Sequence, residues 1–271
     1  MSIVAWNCRG LGNLRVIPKI KFLVRYYKPD ILFLCETIVE VNKIEEFRYL
    51  LGYDSCFAPV RNSRGGGIAL FWRNMVDCSI VNYSANHISA KIEEASSRSW
   101  IFTGFYGYLE IGRRRDSWNF IRRLASQINL PWCLMGDFND ILHADEKKGR
   151  ATRPNWLIRG FQQAIQDAGL IDVHMEGYPF TWFKSLGTTR VVEEKLDRVL
   201  VTNSWMQLFP NAKLENLVAP SSDHFPILLD RTTVIRSHKV KRTFKFENAW
   251  RVENGLNDVV RVAGLVVEEA M

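Results

Sequence analysis

Ile31-Leu32-Phe33-Leu34 is apolar at every position and runs out into Cys35-Glu36. Such a run is a strand covered on both faces, since a strand with one wet face alternates. Between Tyr53 and Tyr106 the pattern differs. Gly65-Gly66-Gly67 punctuates strand-like runs at Ile68 to Trp72, His87 to Ile92 and Trp100 to Phe105, and Ile88, Ala90 and Ile92 alternate with polar residues. That is an antiparallel meander, and it argues against a purely parallel doubly wound sheet. Helical spacing appears at Ile17, Ile20, Val24 and Tyr27 behind Pro18. It returns at Phe120, Ile121, Leu124, Ala125 and Ile128 behind Asp116, and at Ile158, Phe161, Ile165 and Ala168 between Asn155 and Gly169. Helices thus interrupt groups of strands, and the expected fold class is α/β of mixed type: two packed, mainly antiparallel sheets with helices outside.

The 271 residues, 47% hydrophobic, suffice for one large core. We expect a domain over residues 1–231. A basic linker and partial helical tail follow over 232–271, where Arg236, Lys239, Lys241 and Arg242 precede Phe244, Phe246 and apolar positions from Leu256 to Val267. A net charge of +7 suits a polyanionic partner without requiring one. The cysteines, Cys8, Cys35, Cys56, Cys78 and Cys133, are odd in number and lack a C-x-x-C pair, the usage of reduced thiols in an intracellular protein. The N-terminus has no signal-peptide pattern, and no apolar run approaches the ~18 residues of a membrane span. A soluble, monomeric protein made in the cytosol is expected.

Four fragments stand where apolar strands become loops: Trp6-Asn7-Cys8-Arg9-Gly10, Leu34-Cys35-Glu36-Thr37, Gly136-Asp137-Phe138-Asn139 and Ser222-Asp223-His224-Phe225-Pro226. Each alone is weak evidence. Together they hold the groups needed to cut a phosphodiester bond. Glu36 can hold a magnesium ion, which prefers oxygen ligands and takes one or two protein carboxylates. Asp137 and Asn139, two apart, leave one face if the strand continues one more step, and can then orient a water between them. His224 can stabilise charge on phosphorus, Asp223 can help with the metal, and Asp197, at a strand start, can orient His224. Tyr106 can donate to a phosphate oxygen. Taken singly, Glu36 fits a surface carboxylate at a strand end better, and Asp137-Asn139 also fits an ordinary turn. The other histidines show no zinc spacing. Arg113, Arg114 and Arg115, with Lys147, Lys148 and Arg150, are expected in loops that grip a nucleic-acid backbone.

In this order the motifs resemble the endonuclease/exonuclease/phosphatase superfamily, most closely the apurinic-type endonuclease domain of plant LINE-type (non-LTR) retrotransposons. Trp6 to Gly12, Gly65-Gly66-Gly67 and Lys195-Leu196-Asp197-Arg198 carry that closer match, which covers roughly Ser2 to Asp230. The resemblance implies a four-layered, DNase I-like α/β sandwich. It places Asn7 and Glu36 at the metal end, with Asn7 also holding Asp137, and Tyr106 and His224 on the scissile phosphate. Asp137 and Asn139 then handle the water, Asp197 orients His224, and Asp223 is a second carboxylate near the metal. Thr181 and Ser222 match further supporting or phosphate-binding positions. Magnesium, with manganese as the alternative, is the implied cofactor. DNA is the implied substrate, nicked to leave a 3′-hydroxyl that a reverse transcriptase segment outside this chain would extend, in the nucleus. Another phosphodiesterase or phosphatase of the superfamily, or a silent nucleic-acid-binding remnant, are the alternatives. One departure stands out: repair-type relatives carry an acidic residue where this chain has Arg9.

Overall fold

The N-terminal strand is β1 (Ser2–Asn7), buried at every position. The computed structural model describes residues 1–60, 66–94, 98–149, 151–185, 187–217 and 222–231. Gly65, Arg150 and the whole expected tail from 232 onward lie outside the described residues. After β1 comes α1 (Ile17–Tyr27), with Pro18 in its first turn, where a missing backbone donor costs nothing. β2 (Ile31–Cys35) follows, parallel to β1. Next are α2 (Val41–Leu51), β3 (Ser55–Phe57) and β4 (Ile68–Trp72), with β4 antiparallel to β2. The expected meander is β5 (Asp77–Tyr83), β6 (His87–Glu93) and β7 (Ser99–Tyr106), paired antiparallel in turn. α3 (Arg114–Gln127) then leads to β8 (Trp132–Asp137), parallel to β7.

The second half adds β9 (Lys147–Lys148), α4 (Asn155–Asp167), β10 (Leu170–Asp172), β11 (Met175–Glu176), β12 (Trp182–Lys184) and β13 (Val192–Glu194). It ends with β14 (Asp197–Thr202), α5 (Asn203–Leu208), β15 (Lys213–Asn216) and β16 (Ile227–Asp230). Among the described residues one sheet has the order β11-β15-β16-β1-β2-β4-β3, a second β10-β14-β8-β7-β6-β5, and a small third β12-β13-β9. Each large sheet therefore contains one parallel strand-helix-strand unit, β1-α1-β2 or β7-α3-β8, and apart from the short parallel pair β11-β15 the other pairings are antiparallel.

Alternation explains why these strands read as uniformly apolar. Ile3, Ala5 and Phe33 from the first sheet meet Ala90, Phe102, Met135 and Val199 from the second in the central core. Their neighbours Val4, Trp6, Leu32 and Leu34 face outward onto Ile20 and Val24 of α1 and Ile44 and Phe47 of α2. On the far side Leu134 and Leu200 pack on Ile121 of α3 and Phe161 of α4. The layering is helix, sheet, sheet, helix, a four-layered sandwich. The sheets approach closely at Gly104, where a Cβ would sit 2.2 Å from the Phe33 ring.

Three local expectations change. α2 and the exposed edge strand β5 appear where no element was expected. Asp116 lies inside the first turn of α3 rather than capping it. Arg113, Arg114 and Arg115 sit in a 3-10 turn and the start of α3, not in a loop, and Lys147 and Lys148 form β9. Among the described residues, no helix is long and apolar enough to cross a membrane.

Candidate active site

Inward-facing positions continue to the rim of the sandwich and turn polar there. Asn7 follows Ile3 and Ala5 in the alternation of β1, Asp137 follows Cys133 and Met135 in β8, and Asp197 precedes Val199 and Val201 in β14. Register brings them together, because Asp137 pairs with Tyr106 on one side and Asp197 on the other. Glu36, one residue beyond β2, would by alternation face outward with Leu34. Its left-handed backbone, φ 52°, breaks the alternation. Arg9 (φ 51°) and Asn139 (φ 57°) are left-handed as well, each an unfavourable conformation of order 1 kcal/mol for a residue with a Cβ.

Hydrogen bonds join the two sheets at this rim. Asn7 Nδ2 donates to Glu36 Oε1 at 2.9 Å and to Asp137 Oδ2 at 3.0 Å, and the Tyr106 hydroxyl donates to the same Glu36 oxygen at 2.9 Å. His224 Nδ1 lies 2.9 Å from Asp197 Oδ2, and its Nε2 is 3.8 Å from Asp137 Oδ2. The His224 segment is held by a short antiparallel pairing with β12, in which Phe183 N donates to Asp223 O and Phe225 N to Thr181 O. Trp6 Nε1 donates to the His224 carbonyl at 3.0 Å. Arg198, fully buried between Glu146 and Asp172, anchors the strand that starts with Asp197.

These contacts set the charges. Burial opposes a charge on His224, but Asp197 and then Asp137 outweigh it and raise the imidazole to about 9. Burial raises Asp137 to about 7, against the pull of His224 and the Asn7 hydrogen bond. Burial, with the charges of Glu36 and Asp137, pushes the Tyr106 phenol far above its ordinary range, so it stays a donor.

The model of the endonuclease/exonuclease/phosphatase family matches residues 4–224. The chain belongs to that family. Three solved structures show the same fold. The 3′-5′ exonuclease NExo from Neisseria meningitidis is 21% identical, covering 85% of this chain and 99% of that one at TM-score 0.63. The endonuclease domain of TRAS1, a telomere-specific non-LTR retrotransposon, is 13% identical, covering 84% and 97% at TM-score 0.64. The AP endonuclease LMAP from Leishmania major is 16% identical, covering 84% and 86% at TM-score 0.65. No match was found among curated proteins. Members of the family are metal-dependent nucleases and phosphatases, and the chain is a hydrolase of phosphate esters.

The family's need for a divalent metal can be set against the residues present. Glu36 and Asp223 offer hard oxygens at a partly open mouth, their side chains 15% and 26% exposed. Asp223 Oδ2 accepts from Trp182 Nε1 at 2.9 Å, while its buried Oδ1 accepts no hydrogen bond of good geometry and is ion-paired with Arg9 Nε at 2.9 Å. Asp137, Asp197 and His224 also bring ligand atoms within 4.8 Å of one another. There, however, the His224 and Asp197 atoms are spent on each other and a charged imidazole cannot ligate. An ion that keeps several waters fits the open Glu36 and Asp223 pair better.

Several site expectations need correction against this geometry. β8 ends at Asp137, and the left-handed Asn139 does not continue its face; Asn139 Nδ2 donates to Gly107 O at 3.0 Å while its amide N donates to Asp137 Oδ1. Thr181 and Ser222 stand in the supporting half of their expected role, with both hydroxyls engaged by backbone groups around the site. Thr181 Oγ1 accepts from the amides of Leu196 and Asp197, and Ser222 Oγ donates to Asn7 O and accepts from His224 N. Arg114 is buried against Asp140 at 3.0 Å and is no backbone grip. Lys147 is paired with Glu194. Arg113, Arg115 and Lys148 are exposed. Trp182, whose indole holds Asp223 and whose ring lies 6.5 Å from His224, was given no role by sequence reasoning; its only signal was its place beside Thr181.

Proposed function

We propose that the chain is a magnesium-dependent DNA endonuclease that nicks one strand and leaves a 3′-hydroxyl, as a LINE-type retroelement needs for priming. The observation that carries it is the continuous chain of contacts Glu36, Asn7, Asp137, His224, Asp197 across the mouth of both sheets. Asp137, raised to about 7, takes the proton of the attacking water, since a base is most effective near the working pH. The water oxygen bonds to phosphorus, the bond to the 3′ oxygen breaks in line, and that oxygen takes a proton from solvent while Asp137 later returns its own to solvent. The charged His224 donates to a non-bridging oxygen, where charge builds in the transition state, and the Tyr106 hydroxyl donates to another by turning from Glu36. Asn7 keeps Asp137 beside Glu36, and Asn139 shapes the turn behind it. Glu36 and Asp223 would hold the ion. When bound, a divalent ion supplies Lewis-acid stabilisation of the phosphate oxygens.

The substrate class rests on the shared fold with the TRAS1 endonuclease and on exposed cations beside the site. A groove of about 540 Å³ runs from Arg9, Glu36 and Tyr106 past Ile38 to Tyr108 and Arg113. Arg113, Arg115 and Lys148 would meet the DNA backbone. The test is conversion of supercoiled plasmid to open circle, with magnesium or chelator. We expect Asp137→Asn to reduce nicking by about 10²- to 10⁴-fold. A folded Asp137→Asn protein that nicks at the wild-type rate would sink the assignment.

A further inference from the structure

Arg9 is a charged side chain at the mouth that the proposed reaction leaves unused. Its Nε lies 2.9 Å from Asp223 Oδ1 and 3.6 Å from Glu36 Oε2, so a single guanidinium faces both carboxylates of the metal pair. The backbone is bent to put it there, with φ at 51° and the Arg9 amide donating to Asn7 Oδ1 at 3.3 Å. The same asparagine thus holds Glu36 through its amide nitrogen and the Arg9 turn through its oxygen.

Two carboxylates sharing one mouth repel each other unless a cation stands between them. An arginine supplies that cation at every working pH because it does not lose its proton, yet it has no lone pair to give a metal. The guanidinium and a divalent ion therefore compete for the same oxygens. Nothing in the core holds Arg9 in place, since its side chain is 48% exposed and can swing toward the groove that it also lines.

We propose that Arg9 is the resident counter-ion of the metal cleft, and that the guanidinium and the divalent ion occupy the cleft in mutual exclusion. The proposal rests on the reading of Glu36 and Asp223 as the metal pair. The metal-free site stays assembled because Arg9 neutralises it, and each ion that enters must displace a bound side chain. Metal affinity is accordingly lower, and the gain in stability on binding smaller, than the two carboxylates alone would give.

The experiment is a titration of Mn²⁺ into the full chain at fixed ionic strength, with free ion read by electron paramagnetic resonance. Wild type is compared with Arg9→Ala, Arg9→Gln and Glu36→Gln, and thermal melts are taken with Mn²⁺ and with chelator. We expect both Arg9 variants to bind Mn²⁺ about fivefold more tightly than wild type, the worth of one partly exposed ion pair. Their melting temperatures should also rise more on adding Mn²⁺. Equal or weaker binding by both Arg9 variants, with Glu36→Gln still impaired, overturns the exclusion and leaves the metal pair standing. Glu36→Gln that binds as wild type removes the metal pair, and the proposal with it.

Discussion

Replacing Asp197 with Asn removes a charge from the site while keeping nearly the same shape. Asp197 and His224 are 2% and 3% exposed, and their contact is 2.9 Å, so solvent screens little of it. In the native protein burial works against the imidazolium, and Asp197 is the largest of the charges that reverse it. The displacement from 6.5 to about 9 is worth about 3 kcal/mol in favour of the charged ring, at ~1.4 kcal/mol per pH unit. A folded-state pKa above the unfolded value contributes stability that is fully present below pH 6.5 and lost as the pH rises through about 9. With Asn at 197, burial is opposed mainly by Asp137 at 3.8 Å, and the ring falls back toward 6.5. The variant loses that pH-dependent stabilisation. Relative to wild type, its nicking near pH 8 should fall by about 10²- to 10³-fold, the cost of one charge-stabilising donor, and that deficit should narrow toward pH 6 even as protonation of Asp137 slows both proteins. Plasmid nicking against pH, with the imidazole followed by NMR in the metal-free protein, measures both. A ring that titrates as in wild type, or an equal loss at every pH, would refute the reasoning.

Three further outcomes follow from the packing and the surface charges. Gly104→Ala puts a methyl 2.2 Å from the Phe33 ring between the sheets and should destabilise the fold by about 2 kcal/mol in urea. Adding Phe33→Leu should return part of that loss, and a Gly104→Ala protein as stable as wild type would mean the sheets are not in contact there. Arg114→Met should cost about 3 kcal/mol by leaving Asp140 buried and unpaired, with the salt dependence of DNA binding unchanged. Arg113→Ala should do the reverse, keeping stability and lowering the salt slope by about one.

Much of the site was legible because its residues sit where strands end. Asn7, Tyr106 and Asp137 are the last residues of β1, β7 and β8, and Asp197 is the first of β14, so apolar runs in the chain point directly at them. Arg114 was misjudged because a run of three arginines gives no sign of which one turns inward. Helical geometry sends the middle one to Asp140 and leaves its neighbours in water. The face on which Asn139 stands was not legible, because alternation assumes an extended backbone and the chain leaves that conformation at the rim. α2 was readable, since Ile44, Phe47 and Leu51 have helical spacing, whereas the exposed edge strand β5 has no buried face to announce it.

Local pattern alone determined that this chain has strands buried on both faces, an antiparallel meander, helices between them, and polar residues at the strand ends. Those properties are set by periodicity and burial, which are written along the chain. Only the tertiary structure decided that two parallel units from different sheets end at one rim, that Asn7 spans from Glu36 to Asp137, and that Arg9 stands between Glu36 and Asp223. Those residues are separated by tens to hundreds of positions, and what joins them is sheet register and the approach of two packed layers, which no local pattern encodes.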